Sequence, residues 1–242
     1  MSESPENFDN GYGKTVKNQG TPNAYLDHNA TAPMKAAVIS AMAEWMGMPT
    51  NPSSVHGPGR KAREGIETAR KQVAGLVSLP AEEAWRVIFT SGATESNNTA
   101  HAIVAKDANV WVSGIEHAAV LQACDRGAGY RRMPVTPDGM LDLDALDGAL
   151  KDGQAPDLFS LMAVNNETGV IQPVAEATSL LHPHGAIVHC DAVQAAGRIK
   201  LDFHALDVDM MALSSHKMAG PQGVGALILK KGEGFHGLIH GG

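Results

Sequence analysis

Six short apolar runs, interleaved with stretches of helical character, restrict the possible folds of this chain more than any other feature. The runs are Arg86–Thr90, Val110–Ser113, Leu158–Val164, Ala186–Cys190, Met210–Ser214 and Ala226–Leu229. Helices are predicted between them near Glu95–Lys106, Ala118–Arg126, Leu143–Lys151 and Val174–Leu181. A strand that is apolar at nearly every position must be buried on both faces. Strands of that kind, alternating with helices, pack as a mostly parallel sheet with helices on either side. The expected fold is therefore α/β, a three-layer αβα sandwich.

The remainder of the chain sets the limits around that core. Residues 1–23 are polar, rich in Gly and Asn, and carry no hydrophobic period, so they read as a flexible leader. The folded part is expected to run from residue 24 to residue 242 as one large domain, with no linker inside it. It opens with an amphipathic helix over Lys35–Met46 that places Val38, Met42 and Trp45 on one face. A loop from Pro49 to Gly59 follows. Next comes a helix whose apolar stripe is Ala62, Ile66, Ala69, Val73 and Leu76. The net charge of −7 leaves no basic surplus for neutralising phosphate backbones, which argues against a nucleic-acid partner. The apolar runs fall short of the roughly 20 residues that cross a bilayer, and the N-terminus lacks the apolar core of a signal peptide. The expected compartment is cytoplasmic. With only Cys124 and Cys190, neither a disulfide framework nor a cysteine-rich zinc site can form.

In open α/β sheets ligands bind beyond the carboxyl ends of the strands, so polar residues at those ends carry the chemical information. Four junctions qualify. Phe89-Thr90 runs into Ser91-Gly92-Ala93-Thr94-Glu95-Ser96-Asn97-Asn98, a glycine-containing strand-to-helix turn. Its backbone N–H groups and helix N-terminus suit an anion, although Ser91 or Thr94 could equally be an ordinary helix cap. Trp111-Val112-Ser113 leads to Glu116-His117, where the histidine either stacks on a flat ring and moves a proton or simply caps a helix. Val164-Asn165-Asn166-Glu167-Thr168-Gly169 offers two side-chain amides, which turn chemistry alone also explains. Finally, Ala186–Asp191 ends on a carboxylate, and Met210–Ser214 leads into Ser215-His216-Lys217. A buried aspartate and a lysine at neighbouring strand ends make either a structural ion pair or the two groups a pyridoxal phosphate site requires: an amine for the Schiff base and a carboxylate for the pyridine nitrogen. The anion cradle upstream favours the second alternative.

Taken in order, these segments resemble the class V aminotransferase-like, fold-type I pyridoxal phosphate enzymes, and most closely the cysteine desulfurases of the nitrogen-fixation and iron–sulfur assembly type. The matching stretches are Tyr25-Leu26-Asp27 through Ala30-Thr31-Ala32-Pro33, Asn51 through His56, Phe89 through Asn98, Glu116-His117, Val164 through Gly169, His189 through Gln194, and Ser214 through Gly225. The resemblance implies pyridoxal 5'-phosphate as cofactor and L-cysteine as substrate. It implies a catalytic lysine at Lys217 that carries the cofactor, Asp191 on its ring nitrogen, Gln194 on its phenolic oxygen, and His117 stacked on the ring and shuttling protons. Gly92, Ala93, Thr94, Ser214 and His216 would hold the phosphate, and Asn166 would lie near the substrate carboxylate. No metal is implied. The family's reaction passes sulfur from cysteine to an enzyme cysteine and releases alanine. It further implies a homodimer that delivers sulfur to an iron–sulfur scaffold or another acceptor protein.

In the family pattern, a smaller C-terminal domain, a substrate-gripping arginine and the loop with the catalytic cysteine would follow Gly242. Cys190 sits inside an apolar strand, facing away from Asp191, and Cys124 sits mid-helix, so both read as buried structural residues rather than substitutes for that cysteine. A chain of this length is therefore expected to bind the cofactor and to show little or no desulfuration alone. Two alternatives stay open. One is another class V lyase or transaminase, such as a selenocysteine lyase. The other is a non-catalytic domain serving as a binding or dimerisation module.

Overall fold

The structure, a computed structural model, describes residues 24–104, 107–125, 130–232 and 237–238. The expected leader over residues 1–23 lies outside the described residues, as do Lys106 and Arg126; the helices predicted to run to those two positions end earlier, at His101 and Cys124.

Two helices come first, α1 (Ala36–Met46) and α2 (Gly57–Leu76). Strands and helices then alternate: β1 (Val87–Thr90), α3 (Ala93–His101), β2 (Val110–Ser113), α4 (Ala118–Cys124), β3 (Tyr130–Met133), α5 (Leu143–Lys151), β4 (Leu158–Met162), α6 (Val174–Leu181), β5 (Ile187–Asp191), α7 (Phe203–Leu206), β6 (Met210–Ser214) and β7 (Gly225–Leu229). The seven strands form one sheet in the order β1-β7-β6-β5-β4-β2-β3. The pairs within β6-β5-β4-β2-β3 are all parallel, and β7 is antiparallel to both of its neighbours. Only β7 therefore runs against the rest, and the mostly parallel α/β sheet expected from the apolar runs is borne out.

Alternation along the strands divides the core in two. Trp111, Phe159, Leu161, Val188, Cys190, Met211, Leu213 and Ile228 point into one cluster, which α2, α5, α6 and α7 complete with Ala74, Leu146, Leu150, Ala177, Leu181 and Phe203. Val110, Val112, Leu158, Met210, Leu227 and Leu229 point into the other, which meets Ala100 of α3 and Val120 and Cys124 of α4. This is the three-layer arrangement, and it leaves Cys190 on the face opposite Asp191 by the period of two.

Helices begin where the local chemistry allows. Asp142 caps α5 by accepting from Ala145 N at 2.9 Å, and Lys151 sits in the last turn, so both ends suit the helix dipole. The loop expected over Pro49–Gly59 is shorter than predicted. His56 Nδ1 accepts from Gly59 N at 3.3 Å and Pro58 occupies the first turn, so α2 already starts at Gly57. A side chain at Gly59 would come within 2.3 Å of Ser54 O, so only glycine lets the preceding loop fold this closely onto the helix.

The expected apolar stripe of α2 also needs correction, because Ile66 is exposed while Ala74, outside the stripe, is fully buried. In α1 no residue is fully buried; Val38 and Met42 are half-buried and Trp45 is 40% exposed. Strand β3 had no apolar run to announce it. It lies at the sheet edge with Arg131 and Arg132 exposed, and only Met133 is buried, which suits an edge strand shielded by charge. The run over Leu158–Val164 leaves the sheet at Met162, and Val164 pairs instead with Ile171.

Candidate active site

The parallel strands finish along one edge of the sheet, and the four polar junctions meet there. They enclose a cavity of about 860 Å³. Its lining includes Gly92, Ala93 and Thr94 from the start of α3, His117 from the start of α4, Asn166 after β4, Asp191 and Gln194 at and after β5, and Ser214, His216 and Lys217 at and after β6. All ten residues singled out from the sequence thus border one space, although they span positions 92 to 217.

Asp191 forms the floor. It is 6% exposed and lies in register with Met162 of β4 and Ala212 of β6. Its Oδ2 accepts from Asn97 Nδ2 at 2.7 Å and its Oδ1 from Val193 N at 3.0 Å. Burial raises its pKa. The Val193 N–H and the Asn97 amide oppose that rise, and His117 and Lys217 add a weaker opposition. Among the described residues its hydrogen-bond donors are neutral amides, so the carboxylate sits buried without a paired cation.

The turn before α3 is shaped for an anion. The helix cap is Gly92, and no side chain caps it, so the Ser91 and Thr94 capping alternative is not what the structure adopts. Instead Glu95, in the first turn of α3, accepts from Ser91 N at 2.6 Å through its Oε2. Gly92, Ala93 and Thr94 line the cavity at the head of α3, where the first N–H groups have no partner within the helix and the positive end of its dipole lies. A Cβ at Gly225 would lie 2.6 Å from the backbone of Gly92, so the glycine at the start of β7 is what lets this turn settle onto the sheet. Ser214, at the end of β6, is 2% exposed beneath it.

His117 caps α4, its Nδ1 accepting from Ala119 N at 3.0 Å, while the ring borders the cavity. The capping alternative is thus what the structure adopts, and the residue also lines the cavity. Lys217 lies on the tight turn Ser215–Met218, half-buried, and its Nζ donates to Asn29 O at 2.5 Å. Burial lowers its pKa, and the Arg198 guanidinium lowers it further, against Asp191 and Asp27. His216 Nδ1 sits 3.1 Å from Thr31 Oγ1. Gln194 Nε2 donates to Asn29 O at 3.0 Å, and its buried Oε1 has no partner among the described residues. The Asn166 side chain turns toward Glu167 Oε1, 2.7 Å away.

Sequence reasoning passed over several contributors. Asn97, 1% exposed, holds the aspartate from α3; one turn after Thr94 on the same helix, its position inside the quoted motif was the available signal. Glu116, beside His117, is fully buried. Its Oε1 accepts from Ser113 Oγ at 2.6 Å and Met162 N at 2.7 Å, and burial pushes its pKa up to about 8. Asn29 and Thr31 come from the segment ahead of α1, whose closeness to the site no local pattern announces.

Neither cysteine lines the cavity. Cys190 is fully buried with its pKa pushed well above the thiol range, and burial pushes Cys124 up to about 12. Among the described residues no helix is long and apolar enough to cross a membrane.

Comparison with known proteins adds a family. The profile described as aminotransferase class-V matches residues 24–242. A cysteine desulfurase of Cereibacter sphaeroides is 42% identical over 228 residues, covering 90% of this chain and 58% of its own length. The cysteine desulfurase IscS of Dictyoglomus turgidum is 40% identical, covering 90% of this chain and 57% of its own length. This chain thus spans less than two thirds of the relatives it matches. Among solved structures, a NifS-like protein from Rickettsia africae superposes with a TM-score of 0.83 at 34% identity, over 90% of this chain and 61% of that one. A structure described as SspA in complex with cysteine superposes with a TM-score of 0.79 at 30% identity, over 90% and 65% of the two chains.

Proposed function

Because the chain belongs to the aminotransferase class-V family, we propose that it is the cofactor-holding part of a pyridoxal phosphate-dependent cysteine desulfurase, the activity named for its relatives from Cereibacter and Dictyoglomus. The observation that carries this reading is the meeting of an uncapped helix start, a buried carboxylate and a lysine amine around one cavity. The cofactor, when bound, supplies an electron sink for bond breaking at the substrate amino acid.

The residues then divide the work. Lys217 provides the amine that anchors the cofactor. Asp191, held by Asn97 and Val193 N, keeps a ring nitrogen protonated; the added positive charge would stabilise the carboxylate that burial now disfavours. The amides at Gly92, Ala93 and Thr94, with Ser214 and His216, hold a phosphate dianion. His117 covers the ring face and moves a proton between substrate and solvent. Gln194 offers its amide to a ring oxygen, and Asn166 lies on the side where a substrate carboxylate would enter. The similar structure described as SspA in complex with cysteine supports that amino acid as substrate. The buried cysteines favour sulfur transfer by groups other than Cys124 and Cys190, since a nucleophilic thiolate needs an exposed, electropositive setting. A homodimer that hands sulfur to an iron–sulfur scaffold completes the proposal.

The test is the visible spectrum of the purified chain with pyridoxal phosphate, compared with Lys217→Ala, before and after L-cysteine. The proposal expects an absorption band that requires Lys217 and that shifts on adding L-cysteine. It also expects no extra sulfur on Cys124 or Cys190 by mass spectrometry. A band of equal intensity in Lys217→Ala would refute the assignment of the lysine.

A further inference from the structure

Asn29 stands at the mouth of the cavity, where it makes contacts that none of the roles above uses. Its main-chain oxygen accepts from Lys217 Nζ at 2.5 Å and from Gln194 Nε2 at 3.0 Å. Its side-chain Oδ1 accepts from Arg198 NH1 at 2.6 Å, and its Nδ2 donates to Asn166 O at 3.1 Å. Arg198 NH2 reaches His28 O at 3.0 Å, so the guanidinium grips two successive residues of the same segment. That segment is latched further along by Ala32 N to His216 O at 2.8 Å and Lys35 N to Ala219 O at 3.1 Å. Turns distant in sequence are thereby joined through one exposed residue.

We propose that Arg198 and Asn29 form a clamp that positions the Lys217 amine for reaction, Asn29 holding the amine's direction and Arg198 holding Asn29 while placing a guanidinium beside the amine. This rests on the reading of Lys217 as the reactive lysine. A lysine has a long, flexible stem, and a carbonyl fixed at its tip removes the rotamers that point away from the cavity. A second cation close by disfavours the ammonium form and so raises the share of the neutral, nucleophilic amine. The groups facing that amine are Arg198 from the turn after β5, Asp191 from β5, Asp27 from the segment ahead of α1, and His216 from its own turn. Among them Arg198 is the fixed cation, and Asn29 is what fixes it. Both act through Lys217 and are positioning residues.

Competitive acetylation of the purified full chain, with the Lys217 peptide quantified by mass spectrometry, reads the amine without any cofactor. In Arg198→Ala the labelling rate of Lys217 at pH 8 is expected to fall about threefold, the size of one exposed unit charge a few ångströms away. Asn29→Ala is expected to fall similarly, and the double variant no further, because the two residues act as one unit. Arg198→Lys should retain most of the rate. Arg198→Gln, which keeps an amide donor for Asn29, should still lose it. Urea midpoints establish that each variant is folded. Unchanged labelling in folded Arg198→Gln and Asn29→Ala, or additive losses in the double variant, would overturn the clamp. The Lys217-dependent absorption band is recorded in parallel. Its absence with the labelling pattern intact refutes the cofactor reading alone, and its presence with flat labelling refutes the clamp alone.

Discussion

The two faces of the sheet are built on opposite principles. Toward α2, α5, α6 and α7 the strands present Trp111, Phe159, Leu161, Val188, Met211 and Ile228, large side chains with almost no polar atoms among them. Toward α3 and α4 the apolar layer gives way, nearer the cavity, to Ser160, His189 and Asp191, which meet His101 and Asn97 of α3. Ser160 Oγ lies 2.9 Å from His101 Nε2 and 3.1 Å from His189 Nδ1, and Cys124 Sγ lies 3.4 Å from His101 Nδ1. Burial holds both histidines neutral, with His101 lowered to about 4. One face supplies cohesion and the other supplies placed polar groups. The lesson is that a buried polar layer is tolerated here because an apolar layer backs the same strands.

The sharpest way to break that comparison is a cavity on the apolar face. Phe159→Ala should lower unfolding stability by about 3–5 kcal/mol in urea titration. A loss below about 1 kcal/mol would mean that this face is not the cohesive one.

On the polar side the largest effect should depend on pH. Glu116 has its pKa raised from 4.5 to about 8, so the folded state holds a proton that the unfolded chain has released between those values. Stability must therefore fall as pH rises from 4.5 to 8. Glu116→Gln removes that loss, and its unfolding midpoint should gain on the wild type steadily across the window. The rise in stability between about pH 4 and 6.5 that His101 contributes, by charging more readily in the unfolded chain, should persist in both. Parallel pH profiles would sink this account.

Asp191→Asn keeps the shape and removes the charge. Cofactor affinity should weaken roughly 10- to 100-fold by spectroscopic titration, the worth of a charge-assisted hydrogen bond, with little loss of stability. The two cysteines give the finest comparison. Cys190→Ser puts an unpartnered hydroxyl into the apolar face, at a cost of about 1–3 kcal/mol. Cys124→Ser, whose hydroxyl can use Val120 O and His101 Nδ1, should cost less than about 1 kcal/mol. Equal costs would show that the polar layer does not extend to α4.

Much of the fold was legible, and the exceptions have physical causes. The strands β2 and β6 and the helices α5 and α6 fall at their expected bounds, because double-sided burial, the Asp142 cap of α5 and the Pro173 ahead of α6 write themselves into adjacent residues. Strand β3 stayed hidden because an edge strand needs charge more than apolar length. The start of α2 was misplaced because a Pro and Gly pair reads as a loop until His56 is seen capping it. At the site, residues that end a strand or open a helix were readable. Asn97 and Glu116 were in view but carried no role, since their meaning lies in the partner they face. Asn29 lay inside the quoted stretch from Tyr25 to Pro33 but carried no role, because nothing near it in the chain speaks of Lys217, 188 positions away.

Residue order therefore accounts for the layered α/β architecture and for the kinds of chemical group at each strand end, since both follow from local periodicity and from the rule that parallel strands finish together. Packing alone decided which of those groups share a wall, which face of the sheet carries the polar layer, and which carbonyl receives the lysine. Those are distances between segments remote in sequence, and they arise only when the apolar layer brings the strands into register.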